Sequence, residues 1–335
     1  MKKQINSTAL RHVTIAIVVM IALFIPACDE DNSGSDGVWT LLSDNPFGTD
    51  TIKSVAWGGG KFVAVGMKGK IAHSSDGKKW TLVSSSPFGN SAIHCVSFGN
   101  GKFMAGGESG KLAFSDDGGE NWTSVALSGF NNNEINGIVW GTDKWVAVGR
   151  SRIAYSNDSE GTTWSGADSN GPFDYGQGSP PLMAVAFGNG KFVMAGPAGG
   201  QGHGASLAYS STGVNNDWTK VTGVTEGGLV SVFFGNGKFI TFNQTEVFYS
   251  ADGANWTRAE ASLLVLNKQL NSAAAGNGKF IAVGYNDAFF NSADGITWTL
   301  QKGISFNKHF NDIAFGNGAW VAVGINGAVA YKIEK

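Results

Sequence analysis

Seven copies of one short pattern, a glycine turn flanked by aromatic residues, restrict this chain to a repeat architecture. Phe-Gly-Asn-Gly-Lys-Phe stands at 98–103, 187–192 and 234–239, and looser copies occupy 57–62, 140–145, 275–280 and 315–320. The leading glycines are Gly58, Gly99, Gly141, Gly188, Gly235, Gly276 and Gly316, spaced by 41, 42, 47, 47, 41 and 40 residues. A period of this size marks solenoids, propellers or arrays, in which each unit buries its apolar surface against its neighbours.

Within one unit, residues 93–125 read as four short strands: Ile-His-Cys-Val-Ser-Phe, the Gly-Asn-Gly turn, Lys-Phe-Met-Ala-Gly-Gly, Lys-Leu-Ala-Phe-Ser, an Asp-Gly turn and Trp-Thr-Ser-Val. Both turns suit hairpins because Gly and Asn accept positive φ. No stretch carries a sustained helical period. Large residues such as Val96 and Phe98 alternate with small ones such as Ser97, so both faces of the sheet are apolar enough to pack on neighbours.

The ends fix the closure. Trp39-Thr40-Leu41-Leu42 matches the fourth strand of a unit (Trp80-Thr81, Trp122-Thr123, Trp218-Thr219, Trp256-Thr257, Trp298-Thr299, with Trp164-Ser165 as a variant) but precedes every first strand. The last unit stops after its third strand, near Tyr331. These complementary fragments predict an all-β, seven-bladed β-propeller of four-stranded blades, closed by its N-terminal strand; closure also removes exposed sheet edges.

Lys2, Lys3 and Arg11 precede an apolar run from Val13 to Ile25, which is shorter than the ~20 residues of a membrane-spanning helix and reads as a secretory signal. Ile25-Pro26-Ala27-Cys28 resembles the bacterial lipobox, with Pro26 departing from the usual residue at its position. The resemblance implies acylation of Cys28. The expected organisation is a lipoprotein-type signal peptide over 1–27, an acidic flexible tether over 28–37 and a single propeller over 38–335. Such a chain would be anchored in a bacterial cell envelope, periplasmic or surface-exposed, touching the membrane through its lipid alone. Once the signal is removed, 21 basic residues face 26 acidic ones, a balance that offers nucleic acid nothing. Cys95 is the only other cysteine and reads as a small buried residue.

Between third and fourth strands run Ser74-x-Asp76-Gly77-x-x-Trp80, Ser115-x-Asp117-x-Gly119-x-x-Trp122, Ser250-x-Asp252-Gly253-x-x-Trp256 and Ser292-x-Asp294-Gly295-x-x-Trp298. Unit three is expanded around Asp158, and unit four has Thr212 in place of the aspartate. These segments resemble the Asp-box, or BNR, repeat of sialidases and of many non-enzymatic bacterial propellers. The aspartates read as structural, each capping backbone N–H groups of a tight turn. Sialidase-like catalysis needs three convergent arginines, and after the signal only Arg150, Arg152 and Arg258 remain, the last in an outer strand. No hydrolase elbow or zinc-type His pair replaces them. We therefore expect no catalytic residues, no cofactor and no metal.

The two 47-residue spacings come from a long interblade loop at 166–181 and an insert at 197–206, both on the face opposite the glycine turns. Binding concentrates on such loops of a rigid scaffold. The expectation is a monomeric binding propeller that recognises a glycan or a protein partner through Tyr175, His203, Arg150, Arg152 and Tyr285. A sialidase-like glycosidase and an assembly-factor scaffold are the alternatives.

Overall fold

The computed structural model describes residues 37–127, 129–130, 132–150, 152–166, 171–173, 181–198, 206–224, 228–243, 246–259 and 268–334. Cys28, the tether, Tyr175 and His203 lie outside them. The described chain forms seven four-stranded antiparallel sheets, a seven-bladed β-propeller whose only helical elements among these residues are single 3-10 turns.

Blade 1 is typical. Its inner strand Ile52–Gly58 turns through Gly59 and Gly60, at φ 54° and 78°, into the second strand Lys61–Gly66. A 3-10 turn at Met67–Gly69 leads to the third strand Ile71–Ser74, and the outer strand is Thr81–Leu82. The inner strands of successive blades pack on one another around the axis, including Ile52–Gly58 against Phe310–Gly316 across the closure. They are followed around the ring by Ile93–Gly99, Ile135–Trp140, Ala184–Gly188, Ser231–Gly235 and Leu270–Gly276.

The repeat keeps its leading glycine for a steric reason. A Cβ on Gly58 would lie 1.9 Å from the ring of Phe98, which belongs to the next blade. The same relation joins Gly99 to Trp140 at 2.5 Å, Gly188 to Phe234 at 2.1 Å, Gly276 to Phe315 at 2.1 Å and Gly316 to Trp57 at 1.9 Å. Each such ring is packed in turn on its own second strand; Phe98 and Phe103, cross-strand partners, have centroids 4.9 Å apart. One residue on, the Asn of the turn sits at φ 46° in Asn100 and Asn189, a left-handed conformation that Asn tolerates better than most residues.

Closure follows the sequence reading, over a shorter strand. Thr40–Leu41 pairs with Val329–Ile333, Thr40 opposite Tyr331, and the Leu42 N–H donates to the Val329 carbonyl at 2.8 Å. Trp39 then reaches into blade 6, where it packs 4.5 Å from the Phe289 ring and its indole N–H donates to Gln301 Oε1 at 3.0 Å. Pro-Phe loop residues Phe47, Phe88 and Phe173, with Phe130, are fully buried between blades.

Removing residues 38–42 exposes the whole edge of Val329–Ile333 and empties the Trp39 site, a loss of roughly 3–5 kcal/mol for the tryptophan alone. The melting temperature of the truncated full-length protein should fall substantially, and an unchanged value would contradict closure by this strand.

Candidate functional site

The box turns and the glycine turns share one face; the box aspartates bond within their own turns, while turn asparagines such as Asn100 and Asn189 donate to the Ser159 and Ala251 carbonyls of the following blade's box turn. Asp76 Oδ1 accepts from the N–H groups of Lys78 and Lys79 at 2.8 and 2.9 Å, while the Trp80 indole donates to the Gly77 carbonyl at 3.0 Å. Asp117 accepts from Glu120 and Asn121, Asp158 from Thr162 and Thr163, Asp252 from Ala254 and Asn255, and Asp294 from Ile296 and Thr297. Unit four keeps the same function with a displaced residue. Asp217 reaches back from beyond the turn, accepting from Ser210 Oγ at 2.9 Å, Thr212 Oγ1 at 2.8 Å and Thr212 N–H at 3.0 Å.

These bonds tune the carboxyls. Burial is the largest single influence on Asp117 and Asp158 and raises them, but the donors around each outweigh it and bring both down to about 2. Hydrogen bonds led by the Asn255 N–H hold Asp252 well below the ordinary carboxylate range.

The opposite face carries the loops and the mouth of an axial cavity of about 490 Å³. Counting back from each leading glycine finds its rim. The residue six before is a buried apolar anchor: Ile52, Ile93, Ile135, Leu182, Leu229, Leu270 or Phe310. The residue five before lines the cavity: Lys53, His94, Asn136, Met183, Val230, Asn271 and Asn311, one per blade. In blades 1, 2, 3, 6 and 7 the pairing register shifts around that residue. A bulge of this kind turns consecutive side chains toward one side, so the next residue, such as Ser54 or Asp312, lines the cavity too.

Three rim amides also latch the ring. Asn136, Asn271 and Asn311 donate through Nδ2 to the Leu182, Phe310 and Ile52 carbonyls of the following blade at 3.1, 2.8 and 2.8 Å. Below them, Asp312 joins three blades: Ser54 Oγ and Val55 N–H donate to Oδ2 at 2.8 and 2.9 Å, Ser272 Oγ and Ile313 N–H to Oδ1 at 2.7 and 2.9 Å. Burial nevertheless raises its carboxyl. Lys53 makes no hydrogen bond or ion pair with any described residue, and His94 Nε2, beside it on blade 2, is buried without a partner among them. Burial, with the charge of Lys53, lowers His94 against the opposing pull of Glu134 and Glu108. Cys95 is buried and its thiol is pushed up to about 12 by burial, so it is not a nucleophile at neutral pH.

Of the residues expected to bind, Arg150 is exposed in the blade 3 link, bridged to Pro181, and Arg152 opens the third strand of that blade. Tyr285 is 42% exposed on blade 6, edge-on to the His309 ring at 4.9 Å. All three share the loop face, but blades 3 and 6 lie on opposite sides of the axis, so the arginines and the tyrosine do not form one cluster. Arg258 sits in the outer strand of blade 5, paired with Glu246 at 2.7 Å. The rim was not anticipated from sequence; aligning the seven units on their glycines exposes it as a column of unlike residues behind a column of apolar ones.

No protein-family model matches the sequence, and no curated protein is significantly similar to it in sequence. Among solved structures the chain is similar to YCF48 bound to D1 peptide, at 17% identity and a TM-score of 0.67, over 89% of this chain and 97% of that one. It is also similar to YCF48 from Cyanidioschyzon merolae (15% identity, TM-score 0.66, 88% and 98% covered). Virginiamycin B lyase from Staphylococcus aureus aligns at 12% identity and a TM-score of 0.70, with 88% and 98% covered. Identities this low establish the shared propeller fold.

Two outcomes follow from the turns. Asp217→Ala and Asp252→Ala should each cost on the order of 1 kcal/mol in urea unfolding, despite their different positions in the repeat; a neutral Asp217→Ala would show that Thr212 alone sustains unit four. In acid, Asp117 and Asp158 have folded values below the unfolded ones. Their stabilisation is complete above about pH 4 and is lost as pH falls through about 2. Asp117→Asn/Asp158→Asn should flatten the fall in melting temperature over that window.

Proposed function

We propose that this chain is a lipid-anchored, non-enzymatic binding propeller of a bacterial cell envelope, whose loop face holds a protein partner. One observation carries the reading. Six large hydrophobic side chains are exposed among the described residues: four of them, Met67, Met183, Val230 and Tyr285, stand on the loop face, while Val38 stands beside the turn-face end of Val329–Ile333. Exposed apolar side chains gathered on one face of a rigid body mark a protein contact more than a sugar site, which would want aromatic platforms beside amides.

The same fold serves an enzyme and a peptide binder, judging by the names virginiamycin B lyase and YCF48 bound to D1 peptide, so the residues must discriminate. Arg150 and Arg152 on blade 3 and Arg258 on the rim of blade 5 are too dispersed for a three-arginine carboxylate clamp. The resemblance of Ile25-Pro26-Ala27-Cys28 to a lipobox supports the anchor. A peptide-binding relative in fold is consistent with a scaffold that presents or assembles another protein.

Crosslinking the full-length lipoprotein in its native envelope tests the reading. Partner recovery should drop at least roughly tenfold in Met183→Ser/Val230→Ser/Tyr285→Ser, since a few central apolar anchors dominate such interfaces. Asp252→Ala on the far face should leave it intact. Cys28→Ala should release the protein from membranes. Recovery indifferent to the triple change, or turnover of a sialoside lost on changing Arg150, would overturn the proposal.

A further inference from the structure

We propose that the axial cavity is a socket for the C-terminal end of a peptide chain, with the terminal carboxylate on the Lys53 and His94 side and its last side chain on Met183 and Val230. The inference rests on the loop-face binding reading and adds the chemistry of what enters the axis.

The cavity is built asymmetrically. Three of the seven rim positions, Asn136, Asn271 and Asn311, spend an amide N–H on the next blade's backbone. The other four are not spent on the ring. Among the described residues, neither the Lys53 cation of blade 1 nor the buried His94 ring nitrogen of the adjacent blade 2 has a partner. Met183 and Val230, on adjacent blades 4 and 5, are 40% and 36% exposed. One side of the socket therefore asks for an acceptor bearing negative charge and the other for apolar surface.

An ammonium at the cavity mouth that bonds to no described residue is met best by a carboxylate. The carboxylate of Asp312 does not fill this role. Both of its oxygens are taken by donors from blades 1, 6 and 7, and Lys53 is not among them. A cation-bearing ligand is disfavoured for the same reason, since Asp312 has no acceptor site left and Lys53 would repel it.

The occupant is a chain end because of the cavity's shape. Its walls run from the mouth, at Lys53 in blade 1 and Asn311 in blade 7, to mid-strand, at Phe233 in blade 5, and none of the glycine turns contributes. A chain occupying this space enters from the loop-face mouth. An extended end can do this, while an internal loop would have to fold back inside a space of about 490 Å³, which suits a few residues in single file.

Binding is read by fluorescence anisotropy with the full-length protein in detergent and three labelled hexapeptides of one apolar-ended sequence: with a free terminal carboxylate, with a terminal amide, and amidated with an internal Glu. The free-carboxylate peptide should bind, and amidation should weaken it roughly tenfold or more, the value of a charge-assisted hydrogen bond. Lys53→Gln should weaken it similarly while leaving the melting temperature unchanged. Met183→Ala/Val230→Ala should weaken binding of the free-carboxylate and amidated peptides by the same factor. Equal binding of carboxylate and amide, indifference to Lys53→Gln, or no saturable binding up to millimolar peptide would overturn the socket. Binding of the internal-Glu amide as tightly as the free carboxylate would overturn the chain-end assignment. Loss of the envelope partner in the triple loop-face variant, with no peptide bound, would leave the partner face standing and remove only the socket.

Discussion

The seating of an aromatic ring of one blade on the glycine of the blade before it is the contact on which the remaining structure depends. Phe98 on Gly58, Trp140 on Gly99, Phe315 on Gly276 and Trp57 on Gly316 leave no room for even a methyl group. Overpacking a well-filled interior by one carbon costs about 1–3 kcal/mol, so these positions select glycine strongly. The contact joins blades and contributes nothing inside one. A single unit therefore cannot satisfy its own apolar surface, and blades 7 and 1 are complete only once Trp57 seats on Gly316. Where the pattern departs it does so by substitution of the partner. The second-strand Phe192 covers Gly141, and the methyl of Ala275 lies against Gly235 with the Phe280 ring behind it.

The box turns provide a second row of interblade contacts farther from the axis. A Cβ on Gly77 would meet Val321, one on Gly119 would meet Val63, and one on Gly253 would meet Val193, each on the second strand of the preceding blade. The capped aspartates thus shape a turn that is itself a packing surface. This explains why Asp217 substitutes for the missing aspartate in unit four, where Gly213 must still present its backbone to Val146 and Phe192. Both rows of glycines on the turn face hold blades together, and the two longest insertions lie on the opposite face.

The fold was legible because its determinants are local and repeated. The period counted the blades, the Gly-Asn-Gly and Asp-Gly turns located the hairpins, and the displaced Trp39 strand predicted closure onto Val329–Ile333. The cavity rim was less legible for two physical reasons. Strict alternation along an inner strand sends neighbouring residues to opposite faces, whereas the bulges beside Lys53, His94, Asn136, Asn271 and Asn311 bring consecutive residues to the axis. A rim built one residue per blade also has no motif in the sequence, since its members are separated by the full repeat. Reading loop length instead drew attention to Tyr175 and His203, which lie outside the described residues, and to Arg150, Arg152 and Tyr285, which share a face but not a cluster.

The rim column shows how a repeat can vary at one position without weakening its fold. In every blade the anchor six residues before the glycine is apolar and buried, and the ring of aromatics over glycines lies toward the other end of the same strand. Between these two fixed points, the residue five before the glycine varies, at a bulge in blades 1, 2, 3, 6 and 7 and just ahead of the inner strand in blades 4 and 5. Four sequence solutions coexist there: an amide that ties blades together, a lysine, a histidine, and an aliphatic side chain facing the axis. If rim residues served stability alone, the asparagine latch would be expected in every blade, since it satisfies a backbone carbonyl of the next one. Its replacement in blades 1, 2, 4 and 5 by a lysine, a histidine, a methionine and a valine, all turned toward one cavity, places the chain's chemical individuality at the axis.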